Sequence, residues 1–230
     1  MQHLQIPLPV QLRDDATMDN FLPGAGDEAV LAALGDMLAG RGEQVILLHG
    51  APGTGKSHLL QACCHSAGGY GLYLPLGELA NYPADQVLQG IDGMPLVCLD
   101  DLQAVLGNAA WETALFNLYN RARETGQALL LAANAPPRGL PVGLADLQSR
   151  LSWAVVFQLA AIDDERRSAI LQFRARRRGL TLPADVAGYI VSRAPRGMDS
   201  LLADLEALDR ASLAQQRHLS IPFVRQTLGF

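Results

Sequence analysis

The octapeptide GAPGTGKS, Gly50 to Ser57, satisfies G-x-x-x-x-G-K-[ST] and lies between an apolar run and a helix-like stretch. Gly50, Gly53 and Gly55 let the backbone curl so that successive N–H groups point at phosphate oxygens. The helix that follows adds the positive end of its dipole. Lys56 is then placed to reach the β and γ phosphates, and the Ser57 hydroxyl to ligate magnesium. Pro52, Thr54 and His58 complete the candidate nucleotide-binding set, whose ligand is ADP or ATP with Mg2+. The apolar run PLVCL ends in Asp100 and Asp101, the first of them 44 residues beyond Lys56. A carboxylate at the C-terminal edge of a buried parallel strand is costly unless a metal or polar partner meets it. Asp100 is therefore the expected second magnesium ligand, and Asp101 the group that orients or deprotonates an attacking water. Many ATPases use a longer Glu at that place, so slow hydrolysis is expected here.

Two further residues gain meaning from position. Asn134 closes the run QALLLAAN and serves either as turn chemistry before Ala-Pro-Pro or as the amide that holds the water against the γ-phosphate. Arg150, in LADLQSRLSW, sits near the end of a short helical pattern. By type alone it is an ordinary surface arginine.

These residues need a scaffold. Short apolar runs at QVILLH, GLYLPL, PLVCLD, ALLLAA and AVVFQL alternate with helical patterns between residues 43 and 160, as in a parallel sheet covered on both faces. In NAAWETALFNLYNRARETG, Trp111, Leu115 and Leu118 share one stripe, and polar residues fill the turn before Gly126. From Asp163 the strand signals stop and three or four helices follow. The expected division is an arm over 1–20, a nucleotide-binding α/β domain over 21–160 and a helical region over 161–230.

Composition narrows the function. A chain of 230 residues, 49% hydrophobic, buries a sizeable core. Its net charge of −5 opposes general polyanion binding, so DNA contact is expected to be indirect or weak. No run is long enough to span a bilayer and the first residues lack a signal peptide's basic region, which points to the cytoplasm. Three cysteines, Cys63, Cys64 and Cys98, fit a reducing compartment. The cysteines, Trp153 and Met198 read as packing. The histidines show no metal spacing, and the basic cluster Arg174 to Arg178 reads as a solvated helix face, with docking on an acidic partner as the alternative.

Taken together, the phosphate loop, Asp100 with Asp101, Asn134, Arg150 in LQSRL and the helical tail resemble an AAA+ ATPase module. The stretches FNLYNRARETG, LQSRLSW, LRDDATMDNFLPG, LPADVAGYIVSR and LDRASLAQQRHLSIPFVRQTL are similar to the DnaA/Hda branch of that family. The resemblance covers nearly the whole chain. It implies an AAA+ core with a five-stranded parallel sheet and a C-terminal helical lid. It also implies that Arg150 is an arginine finger completing a neighbour's active site, a role worth three to five powers of ten in activated GTPases. The initiators of this branch carry a DNA-reading domain after the lid, and with no such pattern read up to Phe230 the expectation is a regulator of the initiator.

The segment QIPLPV, Gln5 to Val10, fits that role. Ile6, Leu8 and Val10 are spaced to enter an apolar cleft, Gln5 supplies a polar anchor, and Pro7 and Pro9 limit the entropy lost on binding. On its own the hexapeptide is equally a plain terminus or an edge strand. With the resemblance it looks like the motif that docks on the DNA polymerase III sliding clamp (beta subunit), through Gln5, Ile6, Leu8, Pro9 and Val10. Three buried aliphatic side chains give roughly 5 to 8 kcal/mol gross, and ordering costs leave a contact on the order of micromolar. A homodimer or higher oligomer would gain avidity.

The resulting expectation is regulatory inactivation of DnaA: clamp on DNA captures the chain, and Arg150 promotes hydrolysis of DnaA-bound ATP. One residue departs from the initiator pattern. Asp199 in GMDSL stands where relatives carry a lid arginine, and a carboxylate there repels a γ-phosphate, which favours ADP over ATP. Arg196 precedes that helix. The alternatives are an autonomous ATPase acting on DNA as initiator or helicase loader, and an adaptor without chemistry.

Overall fold

The computed structural model describes residues 12–195 and 197–230; Gln5 to Val10 and Arg196 lie outside the described residues. The chain divides into two units, one of Gly55–Ala160 with the described part of Met1–Ala51, the other of Ala161–Phe230 with Pro52–Thr54.

In the first unit β1 (Val45–His49), β2 (Gly71–Pro75), β3 (Leu96–Asp100), β4 (Ala128–Ala133) and β5 (Val155–Gln158) form one sheet in the order β2-β3-β4-β1-β5. Every pairing is parallel. Four strands begin one residue later than the apolar runs suggest, or end one earlier, and ALLLAA is strand throughout. The runs are continuous because both faces are covered. Alternate side chains split between two cores: Leu47, Leu99 and Leu131 enter one, Leu48, Cys98 and Leu130 the other.

The helices are α1 (Asp27–Leu38), α2 (Lys56–Ser66), the single turns α3 (Leu76–Leu79) and α4 (Ala84–Val87), α5 (Ala109–Thr125) and α6 (Ala145–Ser152). Asn108 caps α5 by accepting from the N–H groups of Ala110 and Trp111, and Gly126 ends it at φ 78°. The stripe Trp111, Leu115 and Leu118 is buried, as are all three cysteines. Ahead of α1 the chain lies along α2. Leu12, Met18 and Phe21 pack on the second core, the Arg13 N–H donates to Gln61 at 2.9 Å, and a His58 ring nitrogen meets the Thr17 carbonyl at 2.8 Å.

The second unit holds α7 (Asp164–Arg177), α8 (Ala184–Arg193), α9 (Met198–Gln215) and α10 (Ile221–Leu228). Its own core gathers Leu171, Ile190, Leu205, Leu208 and Phe223. The basic cluster does not form one solvated face. Arg174 is buried, Arg178 is half-buried with Asp209 at 4.0 Å, and Arg176 and Arg177 remain exposed. The helical period divides the cluster because Arg174 shares α7's inner stripe with Leu171.

One buried charge shapes the first unit. Glu112, one turn into α5, accepts from the N–H of Gly107 at 2.7 Å, Gly143 at 2.9 Å and Leu144 at 2.7 Å. Burial raises its pKa, but the three N–H donors outweigh burial and hold it below the usual value of 4.5. Such a group stabilises the fold above its unfolded pKa, and that stability fades as pH falls through the lower folded one. Glu112→Gln is expected to cost about 1–3 kcal/mol at pH 7 in urea unfolding. The gap from the parent should narrow below about pH 4.5, and a gap independent of pH would contradict this.

Candidate functional site

Parallel pairing brings the chemistry-bearing strand ends to one edge. β3, β4 and β1 are neighbours. Their C-terminal ends therefore place Asp100, the residue after Ala133, and the loop after His49 side by side.

In the phosphate loop Gly53 and Gly55 have φ of 77° and 97°, conformations that a side chain would strain. A Cβ on Gly55 would also come within 3.0 Å of the Phe21 ring. Gly55 thus serves both the turn and the close approach of the preceding segment, against which His58 also tilts its ring, 5.8 Å from that of Phe21. Lys56 opens α2 and is buried; its Nζ donates to the carbonyls of Gly50 at 2.8 Å and Ala51 at 2.9 Å. Burial lowers its pKa, opposed by the carboxylates of Asp100 and Asp101. Thr54 is buried, while Pro52, Gly53 and Ser57 are exposed.

Asp100 is 2% exposed, so its partners matter. Tyr73 of β2 donates its hydroxyl proton to Asp100 Oδ2 at 2.8 Å, and the Asp101 N–H donates to Oδ1 at 2.9 Å. Burial first, and then the Asp100 charge, push the Tyr73 phenol pKa up, so it stays a donor. An exposed hydroxyl (Ser57) and a carboxylate (Asp100) are the donor types by which a phosphate-bound magnesium would be held. The residues fit that ion.

Asp101 adopts φ 55°, ψ 47°, rare for a residue other than glycine. Its Oδ1 accepts from Gln103 Nε2 at 2.9 Å, and Gln103 Oε1 accepts from the Asn134 N–H at 3.0 Å. Gln103 therefore ties Asp101 to Asn134. Sequence reading missed both Tyr73 and Gln103. Nothing local marks Tyr73; the Leu-Gln after the two aspartates was the available signal for Gln103.

Arg150 lies elsewhere. It is in the last turn of α6, and Val155 of the following strand pairs with Ile46, near the start of β1, whereas the phosphate loop follows its end. Four strand rises, about 13 Å, separate those levels. The guanidinium is 4.5 Å from the Trp153 ring centre and 6.0 Å from that of Phe116. Trp153, read above as packing, is 58% exposed. It follows α6 directly, at the turn into edge strand β5.

Tyr73→Phe should leave Asp100 Oδ2 short of a donor and lower stability by about 1–3 kcal/mol at neutral pH. An unchanged urea midpoint would show that the hydroxyl does not matter to the fold.

Residues 163–228 match the family model described as "Hda, lid domain". Among solved structures, domain III of the replication initiation protein DnaA from Thermotoga maritima is similar at TM-score 0.76 and 20% identity, over 96% of this chain and 98% of that one. AMPPCP-bound DnaA from Aquifex aeolicus follows at TM-score 0.69 and 22% identity, over 89% and 67%. The Thermotoga maritima Holliday junction branch migration motor RuvB matches at TM-score 0.67 and 16% identity, over 93% and 71%. The chain therefore has the AAA+ fold that these DnaA and RuvB structures share, and its residues 163–228 carry the likeness to the Hda lid.

Proposed function

We propose that this chain is a regulator of replication initiation that promotes hydrolysis of ATP bound to DnaA. The observation that carries this reading is the position of Arg150. It is half-buried at the end of α6, one strand length from the level of the chain's own phosphate loop, with no carboxylate within 4.0 Å among the described residues. A guanidinium so placed suits a nucleotide held by another protein, where it would stabilise charge developing on the transferred phosphoryl group.

In this reading the chain's own nucleotide is a structural ligand. Gly50 to Ser57 hold its phosphates, with Lys56 leaving the Gly50 and Ala51 carbonyls for phosphate oxygens. Ser57 and Asp100 would hold Mg2+, which would supply charge neutralisation at the phosphates. Asp101 and Asn134, tied through Gln103, would position a water. The resident nucleotide in this reading is ADP, the preference implied by an aspartate, Asp199, standing where relatives carry a lid arginine. Gln5 to Val10 serve as the hook for the sliding clamp, so that DnaA meets this chain on replicating DNA, as a dimer or higher oligomer.

The second reading is an autonomous ATPase acting on DNA, and the Asp101–Gln103–Asn134 connection favours it. Multiple-turnover hydrolysis stimulated by single-stranded DNA would support that reading instead.

Lys56→Ala is expected to weaken ADP binding roughly ten- to a hundredfold, read by a fluorescent ADP analogue, because a charge-assisted contact is lost. Arg150→Ala should leave ADP affinity and clamp binding unchanged while abolishing stimulation of hydrolysis on ATP-preloaded DnaA with DNA-loaded clamp. Full stimulation by Arg150→Ala would reject the finger role.

A further inference from the structure

Resting on the assignment of Arg150 as a finger, we propose that Trp153 is its positioning residue: the indole stacks against the guanidinium and aims it outward with its charge intact. Three observations carry this. The Arg150 guanidinium is 4.5 Å from the Trp153 ring centre, well inside the range in which a cation is attracted to an aromatic face. The Trp153 backbone N–H donates to the Arg150 carbonyl at 3.1 Å, so the turn that ends α6 keeps the two residues next to each other. Trp153 is also 58% exposed, although a large aromatic at a helix end ordinarily turns inward.

The chemistry explains why an aromatic and not a carboxylate does this work. A carboxylate partner would fix the guanidinium more firmly, but it would neutralise the charge that the phosphoryl group must meet, and it would have to be displaced on docking. The indole orients the group without occupying its donors. Arg123, in the last turn of α5, lies 5.6 Å from the same ring centre. Neither Arg123 nor Arg150 has a carboxylate within 4.0 Å among the described residues. Two like charges around one ring repel, and that repulsion adds to the outward bias of Arg150. The patch suits a polyphosphate.

Titrating each variant against ATP-preloaded DnaA with DNA-loaded clamp separates positioning from simple contact. Trp153→Ala should lower the maximal rate roughly tenfold or more, the scale expected of a misplaced catalytic group, with the half-saturating concentration unchanged. Trp153→Phe, which keeps an aromatic face, should restore most of it. An unchanged plateau, or a shifted half-saturation with the plateau intact, would overturn the proposal, the latter making Trp153 a binding anchor. Should Arg150→Ala itself stimulate like the parent, the finger reading fails, and the proposal falls with it. If the parent itself fails to stimulate, the same holds. A second readout needs no partner. With 5-fluorotryptophan incorporated, the 19F resonance of Trp153, assigned by its loss in Trp153→Phe, should move in Arg150→Ala while that of buried Trp111 stays. No movement would overturn the stacking on which the proposal stands.

Discussion

The Glu112 carboxylate, buried and met by the N–H groups of Gly107, Gly143 and Leu144, fixes where α6 begins. A charge in that environment is tolerable only while its acceptor sites are filled, so the loop before α5 and the loop before α6 cannot drift apart without exposing it. From that tether α6 runs to Arg150 and Trp153, and β5 then joins β1. The tether and the guanidinium sit at opposite ends of one short helix. The Glu112 contact thus holds the start of the helix that carries Arg150, while Trp153 lies against the guanidinium itself.

The edge that carries the phosphate loop is built on a different principle. There the groups are held by mutual satisfaction around a buried acid: Tyr73 and the Asp101 N–H occupy Asp100, and Gln103 links Asp101 to the strand beside it. The left-handed backbone at Asp101 is the one strained non-glycine position in this edge among the described residues. In that conformation the Asp101 N–H meets Asp100 Oδ1 while the Asp101 carboxylate accepts from Gln103.

How much of this was legible depended on whether the signal was local. Strand runs such as QVILLH could be read because a buried parallel strand must be apolar on both faces, and α5 because Trp111, Leu115 and Leu118 repeat at the helical period. The phosphate loop could be read because its spacing has one cause. Tyr73 could not, since its partner stands 27 residues away and the sequence between them says nothing of strand order. Gly143 and Leu144 are likewise 31 and 32 residues from Glu112. Trp153 misled in the other direction: its type argues for packing, yet it stands at the surface beside edge strand β5. Arg174 to Arg178 looked uniform as letters, yet one residue falls on the inner stripe of α7.

The central claim is that the bond broken lies on the partner's nucleotide and not on this chain's own. The direct measurement is a single-turnover reaction with DNA-loaded clamp in which the γ-phosphate label is carried by DnaA in one arm and by this chain in the other. The account predicts rapid release of label from DnaA and little from this chain. Rapid release from this chain, with the label on DnaA persisting, would contradict it and make the molecule a hydrolase in its own right.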